Sequence, residues 1–309
     1  MAGATASEFV SLALLLAVAP LLPGVAARTR AILTGRRGAP VYQLYADLWK
    51  LLRRGVVYST TTTAMFRLAP IAVAATAVLA AVLLPLDGTG GLLRFSGDAL
   101  AFAYLLGLGR FLLVLGALDT GSSFEGMGAS REVAFASVVE MGLFFAIATV
   151  SVMTSELSLS GMFGAPPGGA GGGGLRAGPS LVMVAAGLFG LLLAECARVP
   201  VDDPHTHLEL TMIHEVMVLD HGGPDLALLL YGGAVKLAVM SALIVALLVP
   251  RAGWSLPLSL AALFAGMLGV AVAVGVVESA TARLRLLKVP LYLAGAAALA
   301  GFGLVLVVR

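Results

Sequence analysis

The chain has 309 residues, 60% of them apolar and only 12% charged, with a mean hydropathy of +1.02. A soluble domain is about half apolar and about a quarter charged, so this chain has too few polar side chains to cover a water-facing globule. Soluble enzyme, nucleic-acid-binding module and disordered scaffold are excluded, which leaves an integral membrane protein. A net charge of +2, from 19 basic and 17 acidic residues, provides no basic surface for nucleic acid. The single cysteine, Cys196, excludes an internal disulfide and an iron–sulfur cluster held by this chain alone.

Helices must cross about 30 Å of hydrocarbon, which takes about 20 apolar residues. Eight stretches satisfy this: 7–27, 64–85, 98–118, 130–154, 179–197, 224–249, 256–277 and 289–308. Their apolar positions run all round, and backbone amides in lipid find partners only within their own turn, so each reads as a helix. The expected fold is an all-α integral membrane protein, one polytopic domain over 1–309. The first stretch has no basic flank before it and no cleavage site after it, so it reads as a retained span.

Lys and Arg set the direction. With the N-terminus outside, the loops 28–63, 119–129, 198–223 and 278–288, with adjacent helix ends, face inward and carry 13 basic residues against 4 on the other side. Both termini are therefore expected on the outer side of the cytoplasmic membrane. Arg110 and Lys236 remain inside spans.

Between the first and second spans, Gly35-Arg36-Arg37-Gly38 precedes residues 40–54. There Val41, Leu44, Tyr45, Leu48 and Leu52 recur at helical spacing, with Pro40 suited to a first turn. The pattern predicts an amphipathic surface helix with Trp49 near the headgroups. The next inner loop, Asp119-Thr-Gly-Ser-Ser-Phe-Glu125-Gly-Met-Gly-Ala-Ser-Arg131-Glu132, has three glycines. Ser130 is placed to cap the fourth helix, with Glu132 in its first turn. Glu140 lies ten residues beyond Ser130, about 15 Å further in, where a carboxylate is costly unless protonated, paired or wet. It is a candidate proton-pathway residue.

An outer, glycine-rich loop over 155–178 follows; it lacks the Gly-Lys-Ser/Thr ending of a phosphate-binding loop. The fifth span ends in Glu195-Cys-Ala-Arg198-Val-Pro-Val-Asp202-Asp203-Pro204 and leads into His205-Thr-His207-Leu-Glu209-Leu-Thr-Met-Ile-His214-Glu215. All four histidines, His221 included, fall in this inner loop. A zinc-protease motif would need a second histidine at 218, which is valine. The loop reads as a titratable cavity wall, and no metal site is expected. Lys236, about twelve residues into the sixth span, must face the bundle interior or a carboxylate such as Glu140 or Glu195. Arg110 is read as nearer an inner helix end, able to snorkel.

The motifs around Gly35–Gly38, Ala117–Glu132 and Glu195–Glu215 resemble the superfamily of complex I subunit 1, the quinone-site membrane subunit. Within it they are similar to the formate hydrogenlyase subunit 4 type of energy-converting [NiFe] hydrogenases. His205 and His207 stand where complex I members carry several acidic residues, and Leu230-Tyr231 where relatives often have a Glu–aromatic pair. These departures favour the hydrogenase-like branch.

The resemblance implies a non-catalytic heel subunit with Glu140, Glu195, Glu209 and Glu215 on a proton path, to which the mid-span position of Lys236 adds that residue. Arg36, Arg37, Asp119, Glu125, Arg131, Glu132, Arg198, Asp202 and Asp203 would form the inner loops that dock a redox arm. No cofactor belongs to this chain; a [NiFe] centre and iron–sulfur clusters would sit in large- and small-subunit-like partners, with antiporter-like membrane subunits alongside. The alternatives are the quinone-chamber subunit of a respiratory complex I and, more distantly, a stand-alone secondary transporter.

Overall fold

The computed structural model describes residues 6–88, 90–164, 178–203 and 212–308, which are helical and turn segments without a strand. His205, His207 and Glu209 lie outside the described residues. Six helices are long and apolar enough to cross a membrane by themselves. A multi-pass membrane protein is therefore what the fold describes, but the expected count of eight is not reached on length and composition.

The expected first span is two helices, α1 (Ala6–Val18) and α2 (Leu21–Leu33), bent by 42° at the break. Pro20 has no amide for the helix ladder and stands at that break, whereas Pro23 sits in the first turn of α2, where it is tolerated. Counted as one span, the pair makes a seventh. α3 (Gln43–Leu52) follows, starting three residues after Pro40.

α4 (Ala64–Leu83) and α5 (Asp98–Asp119) form a close hairpin. A side-chain carbon at Gly109 would overlap Thr76, and one at Gly116 would overlap Ala69, so glycine is what lets the two helices close. α6 (Ser123–Thr154) is 32 residues long and begins seven residues before the expected start. Ser130 is therefore not a cap: it lies inside the helix with its hydroxyl donating to the Met127 carbonyl at 2.9 Å. Glu132 likewise belongs to the third turn of α6, not the first.

The expected outer loop contains a short helix, α7 (Leu159–Gly164). α8 (Pro179–Glu195) is apolar but only 17 residues long. A four-residue helix, α9 (His214–Met217), stands in the connection from α8 to α10 (Gly223–Leu248). α10 is the central post, buried without interruption from Leu237 to Leu247. α11 (Leu256–Ala280) and α12 (Val289–Val308) complete the bundle, α12 filling the groove between α6 and α8. There Gly142 and Gly187 face Ala297 and Ala296, which brings the backbones together.

Candidate functional site: a mid-helix charge cluster

Five ionisable side chains from four helices form one cluster centred on Arg110. This residue is the thirteenth of the 22 in α5, close to the middle of the helix and not near its end. Its Nη2 donates to Glu195 Oε2 at 2.6 Å, while Nε lies 3.7 Å from Glu132 Oε1 and Nη1 3.9 Å from Glu140 Oε1. Lys236 Nζ completes the group, 3.2 Å from Glu195 Oε1 and 3.4 Å from the Glu195 backbone carbonyl.

Each element supplies its residue for a local reason. Glu195 is the last residue of α8, where the chain turns away. Glu132 and Glu140 sit eight positions apart on α6 and so share roughly one face. Lys236 is at the midpoint of α10. Gly107 precedes Arg110 by one turn, and a side-chain carbon there would press on Glu140 Oε1, so its absence gives the carboxylate its room. The side chains of Arg110 and Glu195 are 6% and 3% exposed, that of Glu140 42%. The cluster is thus closed around Arg110 and open at Glu140. Three carboxylates face two cations, so a single bound proton makes the group electrically neutral.

Cavities lie on both sides. A void of about 10 Å³, room for about one water, is lined by Thr76, Arg110, Glu132, His214 and Lys236. A second, of about 20 Å³, touches Glu132, Glu195, Asp202 and His214. On the loop side, a cavity of about 330 Å³ between α2, α3 and α10 is lined in part by Gln43, Asp47, Arg198, His214 and Glu215. On the other side, Glu140 shares an open cleft of about 380 Å³ with Tyr104, Phe111 and Phe144. His214 borders the first three of these cavities. Burial and the Lys236 ammonium push its pKa down to about 4, so it is a neutral imidazole at pH 7, able both to donate and to accept.

Asp202, buried at 2% exposure, holds α9 in position. Its Oδ2 accepts the backbone amides of Ile213 and His214 at 3.2 and 2.9 Å, and its Oδ1 accepts Arg283 at 2.8 Å. The other residues expected to form the docking loops are distributed around the same end. Asp119 accepts the Thr63 amide and hydroxyl and the Phe66 amide, closing the start of α4. Arg131 donates to the Met212 carbonyl at 2.8 Å. Arg198 pairs with Glu278 at 3.4 Å, and Asp203 lies 3.7 Å from Arg30. Glu125 is buried on α6, whereas Arg36 and Arg37 are exposed on the connection to α3.

The structure therefore brings Glu140, Glu195, Lys236 and Glu132 together, and leaves Glu215 in the adjoining cavity. Arg110 and His214 are the residues that sequence reasoning undervalued. The signal for Arg110 was its central position in α5; for His214, no local pattern distinguished it from the other histidines.

Residues 7–308 match the family model described as NADH dehydrogenase. The chain belongs to that family, the superfamily of complex I subunit 1. Among curated relatives of this NADH dehydrogenase family member, Hydrogenase-4 component C of Escherichia coli (strain K12) is 32% identical over 254 residues, covering 82% of this chain and 78% of that protein. Formate hydrogenlyase subunit 4 of the same organism is 36% identical over 146 residues, 47% of this chain and 48% of the relative. The same fold is found in a chain of the membrane-bound sulfane sulfur reductase, an archaeal respiratory membrane complex, with a TM-score of 0.83 at 18% identity over 97% of this chain and 98% of that one. The family member described here is a helical membrane subunit of the complex I-like hydrogenase kind.

Proposed function

We propose that this chain is the membrane-anchoring and proton-coupling heel of a multisubunit membrane-bound hydrogenase or closely related complex, joining a soluble redox arm to ion-translocating membrane subunits. On this reading the redox chemistry belongs to partners: large- and small-subunit-like chains with a [NiFe] centre and iron–sulfur clusters. Antiporter-like subunits lie beside it in the cytoplasmic membrane. The chain crosses eight times, by the six long helices, the bent α1–α2 pair and α8, with α3 along the interface and both termini outside. At 1.5 Å per residue α8 spans about 26 Å, adequate where the bilayer thins locally.

The observation that carries the reading is the Arg110 cluster, an odd number of carboxylates held against two cations in the middle of three long helices. Such groups are expensive in a membrane interior and are kept there for ion pathways. A proton enters from the loop side past Glu215, reaches Glu195 and Glu132 beside His214, and leaves through Glu140, with Glu209 assigned to the same path by family resemblance alone. Because all three carboxylates share one guanidinium, protonating one loosens its pairing and strengthens that of the others. Exposed Arg36 and Arg37 meet the arm directly. Asp119, Glu125, Arg131, Arg198, Asp202 and Asp203 hold the loop ends on which it rests, so a charge change at the arm is transmitted to α9 and the cluster.

Replacing Glu140 with Gln in the assembled complex tests this. Protons translocated per turnover fall several-fold while electron transfer persists; undiminished translocation at undiminished turnover would overturn the reading. A second reading, the quinone-chamber subunit of a respiratory complex I, is favoured by the cavity of about 330 Å³ beside Arg198 and His214. Quinone co-purifying with the intact assembly, and displaced by quinone-site inhibitors, would support it.

A further inference from the structure

The edge made by α3 and the segment leading into α4 has no part in the proton path, yet its composition is unusual. None of the residues of α3 is buried. Trp49, Leu52 and Val57 are 61%, 54% and 89% exposed. Interleaved with them are the exposed cations Lys50, Arg53 and Arg54, and Arg67 follows in the first turn of α4. Among the described residues, none of these four is within ion-pair distance of a carboxylate. Instead, Arg53 lies 4.3 Å over the Trp49 ring and Arg67 4.6 Å over the Tyr58 ring. Asp47, the acidic residue of α3, is already engaged by Gln43 at 3.0 Å.

The depth of this edge follows from its neighbours. Val41 presses on Gly24 of α2, and the carbonyls of Arg54 and Gly55 abut Gly223, the first residue of α10. Tyr45 on α3 donates its hydroxyl to the Ala17 carbonyl. The C-terminal end of α3 and the residues after it thus lie level with the start of a membrane-crossing helix, where hydrocarbon meets headgroups, while Val41 and Tyr45 reach back along the first span. A purely aqueous partner with an acidic face would satisfy the cations but strand Trp49, Leu52 and Val57. Hydrocarbon alone would satisfy those three and strand the cations. A phospholipid with a net negative headgroup satisfies both, since guanidinium groups donate to phosphate oxygens in bidentate fashion and tryptophan favours the headgroup boundary.

We propose that the α3–α4 edge is a binding surface for anionic phospholipid, its phosphodiester held by Lys50, Arg53, Arg54 and Arg67 and its upper acyl chain against Trp49, Leu52 and Val57. The same helix walls the cavity of about 330 Å³ through Gln43, Leu44 and Asp47, so bound headgroups steady that wall. The inference needs only that the chain spans a membrane and stands apart from the proton-coupling reading.

The chain has two tryptophans, Trp49 and Trp254, and the latter lies in the connection before α11. In the full-length W254F chain, reconstituted in nanodiscs, Trp49 is then the sole reporter. Acyl-brominated phosphatidylglycerol quenches it at least about twofold more than acyl-brominated phosphatidylcholine at equal mole fraction. This preference falls towards unity in K50Q/R53Q/R54Q and, without any further substitution, in high salt. Equal quenching by the two lipids, or a preference that survives both salt and the triple substitution, overturns the proposal. So does the absence of quenching by either lipid, which would leave the edge to a soluble partner.

Discussion

Arg110 carries a large electrostatic obligation, one enclosed guanidinium facing Glu195, Glu132 and Glu140. Removing one partner from such a pair commonly costs about 3–5 kcal/mol, because a buried charge is left uncompensated. That cost explains why Glu140 and Lys236 could be singled out from position alone, since an ionisable group at mid-span must be answered by something. The identity of the answering group was not legible: the sequence suggests Lys236 for either Glu140 or Glu195, and it pairs with Glu195. His214 makes a prediction at the same scale. Its folded-state pKa of about 4 lies below the ordinary 6.5, so the unfolded chain takes up the proton first as pH falls. The stability gained from the neutral imidazole is complete above pH 6.5 and is lost progressively towards about pH 4. H214Q removes that part of the pH dependence, measured as the melting temperature of the purified chain in detergent; an unchanged slope would show that His214 is not the titrating group.

At the scale of elements, the boundaries that matter are those the hydropathy pattern left undefined. α6 continues through Glu125-Gly-Met-Gly because helix propensity penalises glycine by only about 1 kcal/mol and α9 packs on that first stretch. A side-chain carbon at Gly128 would overlap Val216. α9 itself is four residues long and cannot persist unaided; Asp202 holds it by two backbone amides. Replacing Asp202 with Ala should lower the unfolding free energy by about 2–4 kcal/mol, with Asn losing less because an amide oxygen still accepts one amide. Hydrogen exchange provides the check: residues 212–217 lose protection in D202A before the long helices do. Uniform loss across the chain would mean that Asp202 supports the whole bundle and not α9 in particular.

For the molecule as a whole, the parity of crossings decides which side carries the C-terminus. The α1–α2 bend and the short α8 are the two places where the count is open to test. If both cross, the number is even and the termini share a side. With the N-terminus outside as proposed, alkaline phosphatase fused after Arg309 is then active and a green fluorescent protein fusion dark, in cells where the same fusions at 250–254 report the same outer side. Activity at 250–254 with the opposite result at the C-terminus would place the error in α11 or α12; reversal at both sites would place it in α8 or earlier.

Scarcity of charge determined by itself that this chain lives in a membrane, that most of its basic residues gather on alternate loops, and that Glu140 and Lys236 need partners. These conclusions depend on composition and on position along one helix, which a linear pattern records. The motifs of three of the connecting loops likewise carried the family. Only the tertiary structure could decide that Arg110 is the centre, that His214 joins the loop-side cavity to the cluster, and that Glu140 opens onto a cleft. Those depend on which faces of α5, α6, α8 and α10 meet, and helices that are apolar all round give little sign of the face they turn inward.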